Sequence, residues 1–151
     1  MNVIDLQIAS TLACPLESDF AVWVDAALKG RQQDAELTIR IVDAEESAEF
    51  NQQYRGKIGP TNVLSFPFDA PPEVELDLLG DLLMCAPVIV AEAAEQGKDL
   101  HHHWAHITIH GVLHLLGYDH IDDAEAELME ALEVSILNRL NIANPYEESS
   151  P

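Results

Sequence analysis

With 151 residues, the chain is the size of one domain and long enough to bury a core without disulfide or metal staples. Its formal net charge of −20, with 7 Lys and Arg against 27 Asp and Glu, excludes nonspecific attraction to nucleic acid, which depends on basic side chains releasing counterions. No apolar run approaches the ~18–20 residues of a membrane span, and residues 1–10 carry neither a basic head nor a signal-peptide core, so the expectation is a soluble cytoplasmic protein with no membrane partner.

Ile4, Leu6 and Ile8 alternate with Asp5 and Gln7, which predicts a first strand. A helix follows, with Ser18 as N-cap, Phe20, Trp23, Val24 and Leu28 facing inward, and Gly30 as its stop. Cys14, just before it, and Cys85 stand singly in apolar surroundings and read as core thiols rather than a disulfide. Leu37, Ile39 and Ile41 alternate with Thr38 and Arg40 as a second strand. Asp43 and Glu46 then form a capping-box-like pair for a helix that places Phe50 and Tyr54 on one face before Gly56.

Gly59-Pro60 marks a turn, Thr61 to Phe66 a strand ended by Pro67, and Pro71-Pro72 a loop. Leu78 to Cys85 reads as a fourth strand, interrupted at Gly80 and Asp81. Pro87 suits the first turn of a helix running to Gly97, Leu100 to Leu116 makes another, and Asp122 to about Asn141 the last. Strands early and helices late predict an α+β single domain spanning residues 1–151, a small mixed sheet of about four strands packed against helices, with the tail after Pro145 loose. Asp122, Asp123, Glu125, Glu127, Glu130 and Glu133 read as a solvated helix face, without a chemical role.

The segment His110-Gly111-Val112-Leu113-His114-Leu115-Leu116-Gly117-Tyr118-Asp119-His120 carries the chemistry. His110 and His114 are one helical turn apart, so both imidazoles can reach one ion at ~2.0–2.1 Å. Gly117 can end the helix in a left-handed turn that returns His120 to the same point. Three ligands leave a fourth position open, which is what a catalytic zinc site keeps and a structural site closes. His106 and His114 lie about 12 Å apart along a straight helix and cannot share an ion. His106 is therefore a packing residue or one that orients a ligand, Asp119 either orients an imidazole or caps the turn, and His101, His102 and His103 read as exposed residues of a helix N-terminus.

The spacing is that of metzincin proteases, but the glutamate that serves them as base is here Gly111. A protease would need another carboxylate, and Asp69, Asp81 and Asp119 cannot be ranked for that role.

The string from His110 to His120 resembles the signature of the YbeY family of metal-dependent endoribonucleases. Residues 51–57, Asn-Gln-Gln-Tyr-Arg-Gly-Lys, and residues 60–67, Pro-Thr-Asn-Val-Leu-Ser-Phe-Pro, are similar to that family's other signature, and Leu79-Gly80-Asp81 and Trp104-Ala105-His106 agree. The resemblance runs from the second strand to the last helix. It implies a zincin-like site with one zinc ion per chain on His110, His114 and His120, and catalysis resting on Arg55 and His114. It further implies single-strand-specific cleavage in small-subunit ribosomal RNA processing, including 3′-end maturation and ribosome quality control, with ribosomal RNA and the small subunit or its proteins as partners and no DNA.

Arg55 suits a guanidinium stabilising charge on a phosphoryl oxygen, and Lys57 could add a point charge. Thr61, Asn62 and Ser65 are explained equally by turn and strand packing. Because no general base is evident, the second reading is a metal-stabilised ribosome-assembly factor that acts mainly by binding.

Overall fold

The computed structural model describes residues 2–31, 34–68, 78–119 and 121–146. Among these, the chain runs β1 (Val3–Ile8), α1 (Glu17–Leu28), β2 (Glu36–Val42), α2 (Ala44–Arg55), β3 (Val63–Pro67), β4 (Leu78–Cys85), α3 (Ala86–Gln96), α4 (Leu100–Leu115) and α5 (Asp123–Arg139). The architecture is α+β, with a mixed sheet in the order β1-β2-β4-β3. β1 pairs with β2 and β2 with β4 in parallel, while β3 closes the far edge antiparallel to β4. Parallel neighbours require a crossover, and α1 supplies the one between β1 and β2.

The pleat of the sheet sorts side chains by parity. On β4, Leu82 and Met84 join the larger core with Phe20, Trp23 and Val24 of α1 and Trp104, Ile109 and Val112 of α4. Leu83 and Cys85 point the other way, into a smaller cluster with Val42, Leu64 and Phe50. α4 and α2 therefore cover opposite faces of the sheet. Eleven residues of α4 are buried, which makes it the central helix: it packs on α1, α3, α5, β3 and β4.

Several local expectations change in their capping. α1 begins at Glu17 with Leu16 as its N-cap, two residues earlier than a Ser18 cap allows, because the Asp19 carboxylate reaches back to accept the Leu16 N–H at 2.9 Å. The pairing of Asp43 with Glu46 is not made. Asp43 accepts from Ser10 Oγ at 2.5 Å, and Glu46 takes Arg40 in a two-point pair at 2.6 and 3.0 Å. β3 starts at Val63 because both backbone polar groups of Thr61 are held by Ser47 Oγ. Gly56 and Gly97 end α2 and α3 in the left-handed conformation expected of them.

β4 continues as one strand through Gly80 and Asp81, but the expected irregularity is there: its pairing with β2 slips by one residue just before Gly80, Glu36 facing Leu78 and Leu37 facing Gly80. Gly80 is there for a steric reason: its φ is +144°, and a Cβ would lie 2.3 Å from the carbonyl oxygen of Phe66 and 2.9 Å from Leu115 Cδ2. Both cysteines are free, Cys85 buried and Cys14 partly so. Among the described residues no helix is long and apolar enough to cross a membrane. The Pro71-Pro72 loop lies outside the described residues.

Candidate metal centre

α4 is anchored at its start by Asp99, whose side chain accepts the His102 N–H at 3.0 Å. It then runs unbroken for 16 residues, so His103, His106, His110 and His114, at spacings of three, four and four, follow one face. His110 and His114 meet as the spacing predicts: their ring centroids are 4.6 Å apart and their Nε2 atoms 3.1 Å apart. Two nitrogens bound at ~2.0–2.1 Å to one tetrahedral ion stand about 3.3 Å apart, so these two side chains fit a shared metal. Both are half-buried.

After the helix, Gly117 takes φ +103° and the Tyr118 N–H returns to the Leu113 carbonyl at 3.1 Å, the reversal expected of this glycine. The third expected ligand, His120, lies outside the described residues.

The largest departure from the sequence reading is Glu133. Expected on a solvated face, it is fully buried. Its Oε1 lies 2.6 Å from His110 Nδ1 and 3.4 Å from His106 Nε2, and its Oε2 accepts from the Tyr146 hydroxyl at 2.5 Å. Burial alone would raise the pKa of this carboxyl, but the hydrogen bonds from His106, His110 and Tyr146 outweigh it and hold it at about 2. The same carboxylate and the loss of hydration push the Tyr146 hydroxyl up. Burial lowers His106, with Glu133 opposing.

A sequence signal for Glu133 existed. It shares a helical stripe with Met129, Ile136 and Leu137, all buried, and a charge on an apolar stripe is a charge with a partner. Tyr146, at the start of the tail expected to be loose, packs its ring 5.3 Å from His106; residues 147–151 lie outside the described residues.

His103 is a second correction. It is buried rather than exposed, with Nε2 3.0 Å from Glu92, which also accepts from Asn62 Nδ2 at 3.2 Å. Burial opposes ionisation of Glu92, yet these hydrogen bonds hold its carboxyl below the ordinary range. His101 stacks edge-on against Trp23 and, with His102, is exposed.

Arg55 is the last residue of α2, exposed, on a helix that covers the sheet face opposite α4. Among the described residues no side-chain contact joins it to the histidines. Lys57 is also exposed, beyond the Gly56 turn. Tyr54, beside Arg55, stacks on Phe50 and meets Phe66 edge-on at 4.8 Å. Thr61, Asn62 and Ser65 are in structural use, Ser65 Oγ donating to the Gly111 carbonyl at 3.1 Å.

Gly111 faces the sheet, where a Cβ would come 2.9 Å from Leu82 Cδ2 and 3.3 Å from Val63 Cγ2. A glutamate there would point at Leu82 and Val63 of the sheet, burying its carboxylate against apolar side chains. Asp81 shares the face of Leu83 and Cys85, away from α4, and Asp69 lies outside the described residues.

The family model described as Endoribonuclease YbeY matches residues 9–141. An endoribonuclease YbeY from Methylococcus capsulatus is 59% identical over 146 residues, covering 97% of this chain and 96% of that protein. The solution structure of TM1509 from Thermotoga maritima aligns with a TM-score of 0.59 at 28% identity, covering 99% of this chain and 98% of that one.

Proposed function

This chain belongs to the endoribonuclease YbeY family and is a nuclease, a hydrolase of phosphodiester bonds; from that premise we propose that it is a zinc-dependent, single-strand-specific enzyme of small-subunit ribosomal RNA processing. Its tasks would be 3′-end maturation and ribosome quality control in the cytoplasm, with ribosomal RNA and the small subunit as partners. The observation that carries the metal-dependent reading is the 3.1 Å approach of His110 Nε2 to His114 Nε2, close to the separation of two nitrogens that share one ion.

His110, His114 and His120 would hold the ion. When bound, zinc supplies Lewis-acid stabilisation of the charge that develops on the phosphoryl oxygens. The protein's own contribution is positional. α4 holds the two imidazoles rigidly because its opposite side is packed into the core, and Gly111 lets the helix lie against β3 and β4.

Arg55 would bind the RNA backbone, its planar guanidinium giving two directed hydrogen bonds to one phosphate. In a chain of net charge −20, Arg55 and Lys57 form the local basic site that RNA needs.

The test compares zinc-loaded and chelator-stripped protein on a structured ribosomal RNA fragment and on a plain peptide. The wild type should cleave RNA only, and only with zinc. His114→Ala should lose bound zinc and at least 100-fold in cleavage while remaining folded. Undiminished cleavage by the zinc-free variant would overturn the metal-dependent reading. Arg55→Ala tests the RNA contact: lost cleavage with intact support of ribosome assembly would move the main function to binding.

A further inference from the structure

We propose that Glu133 is a positioning residue of the metal centre, which fixes the tautomer and orientation of His110, and that Tyr146 and His106 hold Glu133 for that task. The inference rests on the reading of His110 and His114 as metal ligands and deepens it.

An assignment of donors and acceptors among Glu133, His110, Tyr146 and His106 follows from the distances. An ionised carboxylate only accepts, so His110 Nδ1, 2.6 Å from Glu133 Oε1, carries the proton of that bond. A neutral imidazole has one N–H. With Nδ1 protonated, the lone pair is on Nε2, the atom that faces His114 at 3.1 Å and the one a metal would take. The Tyr146 hydroxyl donates to Glu133 Oε2 at 2.5 Å, so its oxygen is free to accept from His106 Nε2 at 3.1 Å. Each bond then has one donor and one acceptor, the single His106 N–H being shared between the Tyr146 oxygen and, at 3.4 Å, Glu133 Oε1.

The location argues for a task beyond stability. Glu133 has no exposed surface and stands in the stripe of Met129, Ile136 and Leu137. A buried carboxylate stabilises a fold weakly at best compared with an apolar side chain in the same place. What it does supply is direction: a ligating histidine held through its other ring nitrogen keeps one tautomer and one ring orientation, and loss of such a partner typically weakens metal binding 10- to 100-fold. Tyr146 comes from beyond the last helix, so the chain's C-terminal region closes the group that α4 and α5 build.

Three measurements on the full chain decide it: the zinc dissociation constant by chelator competition, the thermal transition of the zinc-free protein, and the histidine ring-nitrogen resonances of zinc-free protein. Glu133→Gln should bind zinc about 10- to 100-fold more weakly and lose the Nδ1-protonated signature of His110, while the zinc-free protein still unfolds cooperatively. Tyr146→Phe, which removes one hydroxyl, should weaken zinc binding in the same direction and decides the matter if Glu133→Gln does not fold. A merely structural role would shift the thermal transition and leave affinity and tautomer alone. Zinc affinity within twofold of wild type in the folded variants would overturn the proposal. If the wild type binds no zinc, the metal reading itself fails, and the His110 tautomer in wild type against variant then decides whether Glu133 positions that ring.

Discussion

Glu133 carries a charge inside the protein because three donors surround it. Its carboxyl is held at about 2, below the ordinary 4.5, so the folded protein gives up this proton more readily than the unfolded chain does. The stabilisation is complete above pH 4.5 and is lost as pH falls toward 2. Zinc-free wild type should therefore lose stability across that window more steeply than Glu133→Gln, which takes up no proton there. Urea unfolding of both proteins at about pH 5 and about pH 3 measures the difference; parallel losses would mean that the carboxylate is not the titrating group. Buried His106 adds a loss of the same sign that begins higher, below 6.5; because Glu133 opposes that lowering, the loss is larger in Glu133→Gln and offsets part of the difference.

At the scale of elements, one contact between the strands and α4 is Gly80. Its neighbours are the backbone of β3 on one side and Leu115, at the end of α4, on the other. Gly80→Ala combines a disfavoured positive φ with a Cβ driven into a backbone carbonyl that cannot rotate away. We expect a loss of about 2–4 kcal/mol in urea unfolding. Gly111→Ala meets only the methyl ends of Leu82 and Val63, which can shift by rotation, and should cost less. If the two substitutions rank in the opposite order, the close approach of β3 to β4 at this point is not a constraint on the fold.

For the whole molecule the excess of acid dominates, and it sets two opposite dependences on salt. Self-repulsion at a net charge of −20 is screened by added ions, so the melting temperature should rise by about 2–4 °C on going from low to moderate salt, the effect of roughly 1 kcal/mol in a chain of this length. RNA binding should weaken over the same range. With Arg55 and Lys57 as the phosphate contacts, the slope of log affinity against log salt should be shallow, no steeper than about −1.4. Thermal melts and RNA titrations over one salt series check both signs, and a much steeper slope would mean a larger basic surface than these two residues.

How legible the molecule is in its sequence follows from the range of each interaction. The strand alternation at Leu37, Ile39 and Ile41, the glycine stops at Gly56, Gly97 and Gly117, and the pairing of His110 with His114 depend on residues at most a few positions apart, where backbone geometry dictates what meets. The cap of α2 was less legible because Asp43 and Glu46 have competing partners, Ser10 and Arg40, and that of α1 because Asp19 reaches back to Leu16; sequence does not rank competitors. Thus the sequence by itself determined the elements, the α+β class and the helical spacing of two candidate ligands. Only the tertiary structure decided that Glu133 turns inward to His110, 23 positions away, and that Tyr146 closes over it. It also decided that α2, the helix that ends in Arg55, covers the sheet face opposite α4. Those facts depend on which faces of α2, α4 and α5 are packed against the sheet and each other, and a periodic pattern specifies that a face is buried without specifying what it is buried against.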